Sequence, residues 1–173
     1  MNPILRGLLL TLWVFLSLNV FAQSQNNTKA PQYKVDPYWP KALPNNWILG
    51  QVSGVATDKN DHIWIVHRPS TITDDEKGAT LNPRRSKCCV PAPPVLEFDK
   101  KGNLVQAWGG PGAGYDWPKN EHGIYIDPNG FVWIGGNAQT DHMILKFTPQ
   151  GKFILQIGSP GESQGSNSTV QLG

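Results

Sequence analysis

The sequence predicts an all-β chain made of short, four-stranded antiparallel units. Three observations carry that prediction. First, His122–Gly158 divides into four short runs rich in β-forming residues: His122–Asp127, Phe131–Gly135, Met143–Phe147 and Lys152–Ile157. Asp127-Pro128-Asn129-Gly130 and Thr148-Pro149-Gln150-Gly151 are turn signals between them, and Asn137–Asp141 is the middle loop. Second, the unit occurs twice. Ser53–Val66 lies 69 residues before His122–Gly135, with Gly54/Gly123, Asp58/Asp127 and Trp64/Trp133 in register. Val95–Gly109 lies 49 residues before Ile144–Gly158, matching Leu96/Leu145, Phe98/Phe147, Gly102/Gly151 and Gly109/Gly158. Third, no long amphipathic helical pattern is visible, and 18 Gly, 15 Pro and seven Trp suit turns and aromatic strands. A four-stranded repeat of about 40 residues signals a β-propeller or array, so the chain is expected to be a partial β-propeller of about two blades.

Taken in order, residues 1–22 look like a signal peptide. Arg6 supplies the positive start, Leu8–Leu18 the apolar stretch and Val20-Phe21-Ala22 a small-residue cleavage site. An uncleaved anchor is the alternative, but the apolar stretch is short for a span of ~20 residues and Asn19 interrupts it. A secreted or periplasmic location follows, with an oxidising environment for cysteines and no membrane partner after cleavage. The 173-residue chain has a net charge of +2, and losing Arg6 with the leader leaves 14 basic and 13 acidic side chains. That balance gives no nucleic-acid footprint.

Residues 23–50 form a polar lead-in followed by an extended segment, in which Tyr33, Val35, Tyr38, Trp39 and Trp47 alternate with Pro37, Pro40 and Pro44. The segment is expected to pack along a surface. Asn26-Asn27-Thr28 and Asn167-Ser168-Thr169 are glycosylation sequons in a eukaryotic host. The first blade covers 51–109 and carries an insertion at 69–93. The insertion holds Cys88 and Cys89 beside a basic cluster, Arg84, Arg85 and Lys87, read as a solvated loop face. Adjacent cysteines in an oxidising compartment can close a vicinal disulfide; two free thiols or bonds to cysteines elsewhere are the alternatives. A single pair lacks the spacing of a zinc site. Residues 110–121 link the blades. Gly109–Gly114 is no phosphate loop, because no Lys-Ser/Thr follows. The second blade is 122–158, and 159–173 is a Gly/Ser-rich lead-in to a further unit.

His122 opens the first strand of the second blade, where propeller strands line the central channel. It is a candidate metal ligand or a satisfied loop residue. Arg68, at a strand end, can grip a carboxylate with two N–H groups or make an exposed ion pair. His62 and His142 are expected at the surface. Asp58 and Asp127 are expected to cap their own turns.

The repeat resembles the NHL type, which builds six-bladed propellers. Gly50–Asp58 (GQVSGVATD) with His67-Arg68, and His122-Gly123 opening the next unit, resemble peptidyl-α-hydroxyglycine α-amidating lyases. The likeness spans roughly Trp47–Gly158. It implies a catalytic role for Arg68, zinc ligation by His122, and calcium ligation by the backbone carbonyls of Val55 and Ile124. The implied reaction cleaves an N–Cα bond to give a peptide amide and glyoxylate, with a small peptide-like substrate. The family's other two zinc histidines and its tyrosine belong to later blades, so the chain looks like the N-terminal part of a longer protein. The insertion with Cys88-Cys89 departs from the family's pattern. Two other functions compete: a non-catalytic propeller binding a peptide, glycan or protein partner, and a lactonase-like hydrolase, which would need acidic metal ligands.

Overall fold

A computed structural model describes residues 30–163 of the chain. The signal-peptide stretch, both sequons and most of the Gly/Ser-rich tail lie outside those residues. Two compact units divide at Asp36. Residues 30–36 of the first carry no regular structure; everything below concerns the second.

The described residues are all-β. Two four-stranded antiparallel meanders form two propeller-like blades. The first has the order β2 (Gln51–Thr57), β3 (Ile63–Arg68), β5 (Val95–Phe98), β6 (Leu104–Trp108). The second has the order β7 (Glu121–Ile126), β8 (Val132–Gly136), β9 (Met143–Phe147), β10 (Phe153–Gly158). A short parallel pair, β1 (Trp47–Ile48) with β4 (Val90–Pro91), joins the extended segment to the end of the insertion. No helix among the described residues is long and apolar enough to cross a membrane.

Alternation of side chains across each strand builds two cores. On one face of the first blade, Trp64, Val66 and Val95 meet Ile126, Val132, Ile134, Leu145 and Phe147 of the second. On its other face, Ile65, Leu96 and Phe98 are covered by Trp39, Leu43, Trp47 and Leu49. Of the Pro/Trp-rich segment, Trp39 and Trp47 thus pack along the sheet, whereas Tyr33, Val35 and Tyr38, expected to pack with them, are exposed. In the second blade, β9 alternates buried Met143, Leu145 and Phe147 with exposed Ile144 and half-buried Lys146. Ile157 pairs with Ile144 and is exposed too. The face that the first blade uses to receive its neighbour is, in the second, uncovered.

The shared Asp and Trp have a physical cause. Asp58 Oδ1 accepts the N–H groups of Asn60 and His62, and Asp127 Oδ1 those of Asn129 and Phe131. The second oxygen of each accepts the indole N–H of its own blade's tryptophan, at 3.2 Å from Trp64 and 3.0 Å from Trp133. Each Asp closes its turn and fixes its blade's Trp at once, Trp64 in the core and half-buried Trp133 on the uncovered face.

Inner strands β2 and β7 lie side by side. Gly54 makes that approach possible: a Cβ there would sit 3.1 Å from the His122 carbonyl oxygen and 3.2 Å from Ile124 Cγ2.

Candidate functional site at the rim between the blades

Both inner strands carry a β-bulge at the same repeat position. In β2, Val52 pairs with His67 and Gly54 with Val66, so Ser53 is the extra residue. In β7, Glu121 pairs with Gly136 and Gly123 with Gly135, so His122 is the extra residue. Bulges re-aim side chains and recur beside functional sites. Ser53 uses its hydroxyl locally, donating to Val66 O at 3.3 Å, whereas the His122 side chain is exposed.

Arg68 ends β3 and crosses to the second blade. Its Nε donates to Glu121 O at 2.7 Å, and Nη2 lies 3.3 Å from His122 Nδ1 and 3.4 Å from Asn137 Oδ1. Asn137 is Arg68's own repeat equivalent, 69 residues on. Because a guanidinium only donates, Nδ1 is the acceptor of His122 and Nε2 is left without a partner among the described residues. All three Arg68 acceptors are neutral. Among the described residues no carboxylate stands within ion-pair distance of it. The structure therefore brings Arg68 and His122 together around an uncompensated, half-buried positive charge.

Nearby groups fix that rim. His67 is fully buried, accepts the Gly50 N–H at Nδ1 (3.1 Å) and donates from Nε2 to Pro93 O (3.0 Å). Burial pushes its pKa down, against smaller opposing hydrogen bonds to Pro93 and Ala92. Buried Asp141 accepts the N–H groups of Lys119, Asn120 and Ala138, tying the inter-blade loop to the second blade. Buried Glu121 accepts the Trp117 indole N–H at 2.8 Å.

Val55 and Ile124, expected to offer calcium carbonyls, stand on the neighbouring inner strands β2 and β7, paired with Ile65 and Ile134. Two carbonyls fall short of the six to eight oxygens calcium takes. For zinc, His122 is one ligand where three or four are needed, and among the described residues it belongs to no group of three or more His, Cys, Asp or Glu placed to hold a metal. Neither metal is held by the described residues alone. Cys88 and Cys89 are joined to each other by a disulfide, with their Cα atoms 3.1 Å apart. Arg84 and Arg85 are exposed beside it, Arg85 in a surface pair with Asp75 at 3.7 Å.

Two histidines depart from the surface role expected of them. His62 Nδ1 lies 2.6 Å from Oε1 of buried Glu97, a hydrogen bond that, ahead of the Asp58 and Glu97 charges, raises the His62 pKa. His142 is half-buried, with a buried Nδ1 that has no hydrogen-bond partner. Asp58, His62 and Glu97 stand close enough together to hold a cation. Their acceptors are already engaged: Asp58 by two backbone N–H groups and Trp64, and Glu97 by His62 and Gln106. In the second blade Phe131 and Lys146 replace His62 and Glu97, with the ammonium 4.2 Å from the Phe131 ring centre. The cluster is one blade's version of a cross-strand contact, not part of the repeat.

Comparison with known proteins adds little. No family model matches the chain. A stretch of 66 residues, 38% of the chain, is 35% identical to the serine/threonine-protein kinase TIO of Arabidopsis thaliana, and the match covers 5% of that protein. So small a share of the kinase assigns no activity here.

Proposed function

We propose that the Arg68–His122 rim binds the carboxylate of a small, peptide-like ligand, in an exported NHL-type propeller related to the peptidyl-α-hydroxyglycine α-amidating lyases. The observation that carries this is the Arg68 guanidinium, which spans two blades yet meets only neutral acceptors. A half-buried positive charge without a counter-ion is stabilised by an anion, and a carboxylate matches the guanidinium fork.

In the lyase reaction the N–Cα bond of a carboxy-terminal α-hydroxyglycine breaks, giving a peptide amide and glyoxylate. This chain's own residues would bind and orient that terminus. Arg68 takes the carboxylate, and its grip on Glu121 O and His122 Nδ1 holds the fork in place. His122 presents Nε2 beside it as one ligand of a zinc site whose others come from beyond the described residues. Calcium at the Val55 and Ile124 carbonyls belongs to the same reading. The chemistry assigned here to Arg68 runs through neither metal.

A binding propeller without catalysis uses the same rim and is the second reading, because the Arg68 grip on a carboxylate needs no metal. The test is glyoxylate release from an N-acylated peptide ending in α-hydroxyglycine, with and without added zinc. Zinc-dependent release that is lost in Arg68→Ala and His122→Ala supports the lyase. Binding without release supports the carboxylate-binding propeller. No carboxylate-dependent binding at all contradicts both.

A further inference from the structure

A groove of about 500 Å³ adjoins the rim, walled by Trp47, Ser70, Pro93, Pro111, Trp117 and Glu121 among others. It is continuous with the rim through the chain itself. Pro69, another of its walls, follows Arg68, and Glu121, whose carbonyl receives Arg68 Nε, precedes His122. The repeat does not create it. One wall belongs to the insertion and the other to the inter-blade loop, the two stretches that vary between the blades.

The walls are rigid. Prolines dominate them, and proline has little freedom to lose. The β1–β4 pair holds Trp47 opposite Val90. His67 fixes the Pro93-Pro94 turn from beneath, through its backbone N–H to Pro94 O at 2.9 Å and its Nε2 to Pro93 O. Trp117 is pinned by Glu121 and packs 6.0 Å from the Phe147 ring. Gly109 lets that indole approach, since a Cβ there would lie 2.9 Å from Trp117 Cη2. A preformed apolar groove of this size suits one large side chain at small ordering cost. Its lining carries one cation, exposed Lys119, and one acid, buried Glu121, whose carboxylate takes the Trp117 indole N–H; Arg68 adjoins it through Pro69, so a ligand held at Arg68 meets these apolar walls next.

We infer that this groove is a specificity subsite that takes the bulky apolar side chain of the residue preceding the carboxylate-bearing terminus held at Arg68. The inference rests on the carboxylate reading of the rim and adds to it the class of ligand selected. A peptide with Phe, Leu or Trp before its last unit fills the groove; one with Gly there leaves it empty.

The test compares N-acetyl-Phe-α-hydroxyglycine with N-acetyl-Gly-α-hydroxyglycine by calorimetry on the full chain. The phenylalanine ligand is expected to bind about tenfold or more tighter, from burial of its ring. Ser70→Trp, at an exposed position of the groove wall, should bring the two affinities together by weakening the phenylalanine ligand alone. Ala113→Trp, exposed on the same inter-blade loop and outside the groove, should leave the ratio unchanged. Arg68→Ala should weaken both ligands by the same factor. Equal affinities for the two ligands, or a preference that Ser70→Trp does not reduce, overturns the subsite while the carboxylate reading stands. If neither ligand binds, the carboxylate reading fails and the subsite falls with it.

Discussion

The Arg68 guanidinium leaves the first blade and rests 3.3 Å from Nδ1 of His122, the bulged residue that opens the second. One contact therefore does two jobs. It ties the blades at the rim, and it orients a basic side chain and an imidazole toward one point. Arg68→Lys should keep the charge and lose the fork, because a lysine ammonium cannot reach Glu121 O and His122 Nδ1 with a fixed planar geometry. Carboxylate affinity is expected to fall by roughly tenfold in Arg68→Lys and further in Arg68→Ala, as charge-assisted hydrogen bonds of about 1.5–3 kcal/mol are lost. Calorimetry with a carboxylate ligand checks the order.

The equivalent glycines of the inner strands are not equivalent in space. At Gly54 a side chain meets Val66 Cγ1 at 3.0 Å and the second blade just beyond, whereas nothing lies within 4 Å of a Cβ at Gly123. Gly54→Val should cost about 1–3 kcal/mol through overpacking between β2 and β7, and Gly123→Ala should be nearly neutral. Urea unfolding of the two variants gives the comparison, and similar losses in both would contradict the blade contact described here.

Trp108 and Ile157 occupy the same repeat position, 49 residues apart. Trp108 packs 5.2 Å from the Phe147 ring and donates to Pro149 O at 2.9 Å, while Ile157 is 45% exposed on the uncovered face. Trp108→Ala is expected to cost about 3–5 kcal/mol, the usual penalty for emptying an aromatic site. Ile157→Ser should change stability by only a few tenths of a kcal/mol, as at other surface positions. Chemical denaturation of the two variants decides this.

Two histidines give the fold opposite pH dependences. The His62 pKa is raised above its ordinary 6.5, chiefly by the Glu97 hydrogen bond. Its contribution is therefore fully present below about pH 6.5 and lost as pH rises through the folded-state value. The His67 pKa is lowered by burial, so an unfolded chain takes up the proton first. Its contribution holds above about pH 6.5 and declines as pH falls below it. Stability should peak between these limbs. Glu97→Gln removes the His62 partner and should flatten the alkaline limb while leaving the decline between pH 6.5 and 5. An unchanged alkaline limb would refute the assignment.

Much of this architecture was legible in the residues. The strands alternate visibly, and the Gly, Asp and Trp matches at one offset expose the repeat because each has a local cause: a turn, a cap, or an indole bonded to that cap. Strand limits shifted by a residue or so, as with Glu121–Ile126 against the expected His122–Asp127. Contacts set by cross-strand or between-blade geometry were not legible. His62 meets Glu97 because β3 and β5 are neighbours 35 residues apart, and nothing local to His62 signals it. The bulges at Ser53 and His122 are register faults, visible only once both partners of each pair are placed. The same holds for Asp141, whose caps reach back to Lys119 and Asn120. The sequence marks Arg68 and His122 only as separate candidates; their contact is a property of the stacked blades.

The most direct measurement compares an acetylated peptide ending in α-hydroxyglycine with its carboxamide counterpart, titrated into the unaltered chain and into Arg68→Ala. The acid should bind the unaltered chain at least roughly tenfold tighter than the carboxamide, and Arg68→Ala should abolish the difference. Equal affinity for acid and carboxamide, or a difference that survives Arg68→Ala, would show that the uncompensated guanidinium at the rim is not a carboxylate site.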